Sequence, residues 1–187
     1  MTLDPMMQPW LHWFSLHQGE VVAVGSKPGE WVLLAYRVPR EPSSPRIAIW
    51  RRLKQFGVAQ IGDGLVGLPA DARTREQLEW VADDVAAANG TASVWLARPA
   101  SAAAERELAG QMAAARAVEY AKIAAEADTS RQLGGQERAT AVRRLRGELH
   151  RVQRRDFFPP PERDVAQQAV ATLAGEPATE PVRGGAS

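Results

Sequence analysis

The chain of 187 residues contains no cysteine. This absence excludes disulfides, thiolate catalysis and cysteine-bound metal. No apolar run approaches the roughly 20 residues of a membrane-spanning helix, and the N-terminus lacks the basic start and long apolar region of a secretory signal. The net charge is only +1, so bulk charge indicates no partner. These absences predict a soluble, cytoplasmic protein with no membrane contact.

The composition is that of a folded protein, with 45% hydrophobic and 24% charged residues. Residues 1–30 are interpreted as an N-terminal extension whose aromatic-rich part, residues 10–17, docks on the core or on a partner. Residues 175–187 are rich in Gly, Pro and Glu, and they predict a disordered tail.

Residues 31–98 predict one α+β domain. The signals are a buried strand at 31–38, a helix opened by Ser44-Pro45 and ended by Gly57, a hairpin around Gly62-Asp63-Gly64, a helix capped by Asp71 or Thr74, and a strand at 93–97. The order is strand, helix, strand, strand, helix, strand. This order predicts a ferredoxin-like βαββαβ fold, which leaves one sheet face free to pair or bind.

The first helix shows a buried stripe and a basic face. Spacing places Ile47, Trp50, Leu53 and Phe56 on the stripe, so Trp50 is expected to be a core residue whose truncation costs about 3–5 kcal/mol. The basic face either contacts phosphates or is simply solvated. Its residues are Arg46, Arg51, Arg52 and Lys54.

Residues 101–174 predict a helical extension. A long helix carries a stripe of Leu108, Met112, Ala115 and Val118, and Gly134-Gly135 ends it. A second helix with a heptad-like seam then completes an antiparallel hairpin. The seam residues are Val142, Leu145, Leu149 and Val152. Val165, Ala169 and Leu173 indicate a last short helix.

The second helix of this hairpin is strongly basic. Residues 138–155 hold seven Arg against one Glu. Such a stripe is typical of nucleic-acid binding, whereas pairing with Glu105, Glu107, Glu119 and Glu126 would make it structural. The candidate nucleic-acid contacts are Arg143, Arg144, Arg146, Arg151, Arg154 and Arg155.

Ser43, Ser44 and Arg46 at the start of the first helix form a candidate anion site, which an ordinary helix cap would also explain.

His12 and His17 are too few and His150 too isolated for a metal site, so no metal or other cofactor is expected. No Gly-rich phosphate loop, Ser-His-Asp order or H-E-x-x-H pattern occurs. The chain is therefore expected not to be an enzyme.

Several segments together resemble the N-terminal domain of the chromate resistance protein ChrB family. They are WVLLAYRVP, SSPRIAIWRRLKQFGV with its R-x-x-x-W-R-x-L-K pattern, the hairpin GDGLVGLP, and RDFF at Arg155–Phe158, over about residues 31–174. The small ferredoxin-like domain of PaaX-type repressors is a more distant likeness. The resemblance implies chromate-linked transcriptional control. Longer family members carry a second, C-terminal domain, so it also implies a partial module or a separate partner protein.

Two function hypotheses follow from these patterns. The first is a DNA-linked regulator or accessory of chromate resistance, with chromate or another oxyanion as the sensed ligand. The second is a non-catalytic interaction module that forms a homodimer through its sheet and helical hairpin and has no DNA role. A steep salt dependence of DNA binding would distinguish the first from the second.

Overall fold

The structure is a computed structural model that describes residues 29–175. The predicted extension and tail, with His12 and His17, lie outside the described residues, except for residues 29, 30 and 175. The elements are β1 (Trp31–Arg37), α1 (Ser43–Phe56), β2 (Ala59–Gly62), β3 (Leu65–Pro69), α2 (Ala72–Ala87), β4 (Thr91–Ala97), α3 (Ala102–Ser130), α4 (Gly135–Gln153) and α5 (Glu162–Ala174).

The four strands form one antiparallel sheet in the order β2-β3-β1-β4. Val32 is opposite Leu68 and Leu34 is opposite Val66, and all four side chains are fully buried. Because side chains alternate between faces, these four share one face of the sheet. Helix α2 packs against β1 and β4, and α1 packs against α2. The predicted α+β class is confirmed.

Local signals set most element boundaries as predicted. Gly57 ends α1 in the left-handed conformation with φ of 74°, which favours glycine. Asp71 caps α2: its side chain accepts from the Thr74 amide at 2.6 Å, and the Thr74 hydroxyl accepts from the Asp71 amide at 2.9 Å. The prediction that Ser44 caps α1 is wrong. The cap position is Pro42, which supplies no side-chain hydrogen bond, so Ser44 lies inside the first turn.

The predicted buried stripe of α1 is confirmed at Leu53 and half-buried Phe56 and is wrong at Ile47 and Trp50. Ile49 and Leu53 are the buried residues, whereas Ile47 is 44% and Trp50 54% exposed. Apolar residues at 47, 49, 50 and 53 fit two helical stripes, and the stripe 49-53-56 is the one directed at the core. Trp50 is therefore a surface residue, and the prediction that it is a core residue is wrong.

Helix α3 is shared by two clusters of buried side chains. Met112 belongs to the cluster that contains the sheet, whereas Tyr120, Ile123 and Ala127 belong to a cluster formed with α4 and α5. The predicted stripe of α3 fails beyond Met112, because Val118 is 72% exposed and Ala115 is exposed. In this part of α3 the buried residues are Arg116 and Tyr120 instead.

Helices α4 and α5 complete a three-helix extension. The predicted seam of α4 is confirmed, with Val142, Leu145 and Val152 buried and Leu149 half-buried. The last helix is present as predicted, although Ala166 rather than Val165 joins Leu173 in the core. Because α5 packs against both α3 and α4, the extension is more than a two-helix hairpin.

Residues Arg155–Phe158, here called the RDFF clip, join the extension to the sheet. The Phe158 ring stacks on Trp31 with centroids 6.0 Å apart. The buried Asp156 side chain accepts a hydrogen bond of 2.8 Å from the Tyr120 hydroxyl. One short segment thus contacts both clusters of buried side chains.

The sheet face that carries Trp31 is only partly covered. Glu105 of α3 accepts from the Trp31 indole at 3.3 Å at one end of this face. At the other end, Trp95 is 60% and Ile61 39% exposed. These two residues lie near half-buried Leu33, which is opposite Trp95 in the register, and together they form the open sheet patch.

Within residues 29–175, no helix is both long and apolar enough to cross a membrane.

Candidate nucleic-acid interface

Helix α4 places its arginines away from its buried seam. With Val142, Leu145 and Val152 turned inward, Arg143, Arg144, Arg146, Arg151 and Arg154 are all on the outer side of the helix. Arg155 follows the helix and is only half-buried. The six predicted contacts therefore lie near one another, but their surroundings differ.

Arg144 and Arg155 bind carboxylates at hydrogen-bonding distance. Arg144 donates to Glu126 at 2.7 Å and to Glu148 at 3.1 Å, and the hydrogen bond from Arg144 lowers the pKa of Glu126. Arg155 donates to Glu119, which also accepts from buried Arg116 at 2.8 Å. The structural alternative, in which the arginines pair with acidic residues of the preceding helix, is thus confirmed for Arg144 with Glu126 and for Arg155 with Glu119. Glu105 instead bonds to the Gly29 amide and the Trp31 indole.

Three other arginines are better placed for a ligand. The Arg143 side chain donates a hydrogen bond of 3.2 Å to the Thr140 hydroxyl. The Arg151 side chain is 68% exposed, and its nearest carboxylate, Glu148, is 4.0 Å away. Arg154 is exposed. A phosphate could replace water around all three with little disruption of ion pairs.

Arg151 and Arg154 border a cavity of about 370 Å³, here called the interunit groove. Its lining brings together Gln55 and Phe56 of α1, Arg73 and Gln77 of α2, and Arg151, Arg154, Arg155 and Phe157. Four guanidinium groups and no carboxylate line this groove. Such a surface suits phosphate oxygens, which arginine binds through two parallel hydrogen bonds.

Arg73 was not anticipated from the sequence. Its guanidinium donates to the Arg154 backbone carbonyl at 3.2 Å and lies 5.7 Å from the Phe157 ring centroid. These contacts hold the Arg73 guanidinium, which belongs to α2, beside the end of α4. No sequence pattern signalled this, because the contact depends on where Arg154, at the end of α4, lies relative to α2.

The basic residues of α1 divide among different environments. Arg52 forms an ion pair with Asp84 of α2. Arg51 is exposed, and the Lys54 ammonium lies 5.5 Å from the Trp50 ring centroid. Arg46 lines a second and larger cavity. The face predicted as one basic surface is thus split.

This second cavity, here called the β1–α1 cleft, has a volume of about 1110 Å³. It lies where β1 ends, between α1, the β2–β3 turn and the α2–β4 turn. Arg37, Arg40 and Arg46 line it together with Trp50, and Asp63 is the acidic residue in the lining. Arg37 and Arg40 were not predicted to be site residues, although their place around the end of β1 was visible in the sequence.

The three residues of the predicted anion site differ in their surroundings. Arg46 lines the β1–α1 cleft, whereas Ser43 and Ser44 are exposed in the first turn of α1 and do not line it. Their binding of an oxyanion stays a prediction. Among residues 29–175, no group of three or more His, Asp or Glu side chains could hold a metal ion.

Comparison with known proteins gives one consistent result. The family model described as "Protein ChrB, N-terminal" matches residues 46–134. The chain is also 29% identical over 133 residues to "Protein ChrB" of Cupriavidus metallidurans (strain ATCC 43123 / DSM 2839 / NBRC 102507 / CH34). That alignment covers 69% of this chain and 40% of the relative. No solved structure matches the chain.

Proposed function

We propose that the chain, which is similar to the ChrB N-terminal family over residues 46–134, is a chromate-resistance-related protein that acts as a regulator or accessory by contacting DNA. The chain aligns with 40% of the length of its relative, so the role of a longer protein is not carried over whole. In this proposal the chain is not an enzyme, and DNA is a binding partner rather than a substrate.

The observation that carries the proposal is the acid-free lining of the interunit groove. Arg73, Arg151 and Arg154 present guanidinium groups there, and Arg143 extends the charge along α4. Phosphate contacts of this kind supply sequence-independent affinity and release counterions. The proposal assigns backbone contact to these four arginines and no base-specific readout.

We also assign the sheet and its two covering helices to the ferredoxin-like class. The support is the order β2-β3-β1-β4, with β3 lying between β1 and β2 and with α1 and α2 as the two connections. In the split β-α-β arrangement of that class, the strands joined by the first helix are likewise not neighbours, which supports this assignment.

The test is the affinity for a short DNA duplex at several salt concentrations. The variant Arg143→Ala/Arg151→Ala/Arg154→Ala should bind more weakly, and the slope of log K against log salt should flatten by about 0.9 for each phosphate that is no longer neutralised. The matched control is Arg75→Ala/Arg98→Ala/Arg106→Ala, which removes three arginines outside the groove lining. Equal weakening in both variants would mean that only net charge matters, and no binding by the parent would refute the proposal.

A second candidate is favoured by the open sheet patch. Exposed Trp95 and Ile61 beside Leu33 offer apolar surface on a sheet face, and a second copy of the chain could cover it in a symmetric dimer. Light scattering distinguishes the candidates. A dimeric mass that falls in Trp95→Lys, combined with no DNA binding, would favour the interaction module.

A further inference from the structure

One face of α1 carries an aromatic ring between two cations. Arg46, Trp50 and Lys54 are spaced four residues apart, so they follow one another along the same face of the helix. Trp50 is 54% exposed, although the nearby Leu53 is 2% exposed and fills the core. The stability of the fold therefore gives no reason for a tryptophan at position 50.

The β1–α1 cleft provides further positive charge beside this row. Arg37 lies at the end of β1 and Arg40 lies in the following loop, and both line the cleft with Arg46 and Trp50. Within the described part of the chain, none of these three arginines has a carboxylate partner. Tyr36 adds a second aromatic ring to the lining.

The combination of charge, rings and size narrows the class of ligand. A cavity of about 1110 Å³ is much larger than a single tetrahedral anion needs. Arginines that track a backbone, with an aromatic ring between them, are the elements that bind single strands. A tryptophan can stack only on a base whose face is free, which a base inside a duplex is not.

We propose that the β1–α1 cleft binds single-stranded nucleic acid. Trp50 is the stacking platform for one unpaired base, and Arg37, Arg40 and Arg46 contact the adjoining phosphates. Lys54 lies against the Trp50 ring and adds charge on the side away from Arg46. This site is separate from the interunit groove proposed for duplex contact, since Trp50 does not line that groove.

The experiment is an anisotropy titration of the full chain with labelled single strands of about 12 nucleotides, one of deoxythymidine and one of uridine. Polyphosphate serves as a polyanion without bases. Trp50→Ala should weaken binding of both single strands about 5- to 150-fold, the range for removal of one stacked base. It should leave polyphosphate binding within about twofold, and Trp50→Phe should restore part of the affinity.

The matched control is Trp80→Ala. Trp80 is 52% exposed on α2 and does not line the cleft, so its removal should not change single-strand affinity. Arg46→Ala should reduce the salt slope for single strands by about 0.7. Circular dichroism confirms that each variant is folded.

The proposal would be overturned if the parent chain bound neither of the two single strands. Unchanged affinity in Trp50→Ala, or an equal weakening in Trp80→Ala, would also overturn it. The duplex titration proposed for the interunit groove is independent of this result. Single-strand binding that depends on Trp50, without duplex binding that depends on Arg151 and Arg154, would uphold this site and reject the groove.

Discussion

The hydrogen bond between Tyr120 and Asp156 should be a large contributor to stability for a single contact. Tyr120 is fully buried, and the Asp156 side chain is also fully buried. The bond is 2.8 Å long, and the other carboxylate oxygen has no hydrogen-bond partner among the described residues. The nearest cation is Arg163, at 3.9 Å. Removing the hydroxyl would therefore leave a carboxylate with little compensation.

The size of the effect follows from these contacts. A hydrogen bond to a charged group contributes about 1.5–3 kcal/mol, so Tyr120→Phe should lower the free energy of unfolding by that amount. For a chain of this size, each kcal/mol corresponds to about 2–4 °C in Tm, so Tm should fall by about 3–12 °C. Asp156→Ala should also be destabilising, because it leaves a buried hydroxyl without an acceptor, at a cost of about 1–3 kcal/mol.

Urea unfolding of the parent, the two single variants and the double variant would measure the coupling between the two groups. The double variant should be destabilised by less than the sum of the single effects, because replacing both partners leaves neither one buried without the other. Val118→Ala on the same helix, at a position 72% exposed, is the control and should change stability by less than about 0.5 kcal/mol. If Tyr120→Phe behaved like this control, the bond would not hold the extension together and the reasoning would be refuted.

Two further predictions concern the core and alkaline pH. Trp50→Ala should change the free energy of unfolding by no more than about 0.5 kcal/mol, whereas Leu53→Ala should cost about 2–5 kcal/mol, and thermal melting of both would show which residue is buried. Burial, followed by the hydrogen bond to Asp156, raises the pKa of Tyr120 well above its usual 10. Above about pH 10 the unfolded chain releases this proton while the folded chain retains it, so stability should fall by up to about 1.4 kcal/mol per pH unit. This part of the decline should be absent in Tyr120→Phe.

Local patterns in the sequence were sufficient for the elements of the fold. Asp71 with Thr74, Gly57 and the hairpin glycines each mark a boundary through short-range chemistry. The stripe of α1 shows where such reasoning fails. Ile49 and Trp50 are adjacent apolar residues on a helix, and which of them faces the core depends on where α2 and the sheet lie.

The candidate site was predictable only in part. The excess of arginine in residues 138–155 was visible, but the engagement of Arg155 by Glu119 and of Arg144 by Glu126 depends on the packing of α3 against α4 and the RDFF clip. For the same reason, the sequence did not indicate that Arg73 lines the groove. Trp50, which the sequence pattern placed in the core, is exposed and lies at the centre of the proposed single-strand site.

The stack of Phe158 on Trp31 has a consequence for the order of events during synthesis. Trp31 begins the first strand and leaves the ribosome early, whereas Phe158 belongs to the segment between the last two helices. Until that segment emerges, Trp31 lacks its stacking partner, although Glu105 of α3 can already bind its indole. Chains released before residue 158 would expose more of this ring, which would favour chaperone binding and proteolysis. The clip thus ties full covering of Trp31 to translation beyond α4.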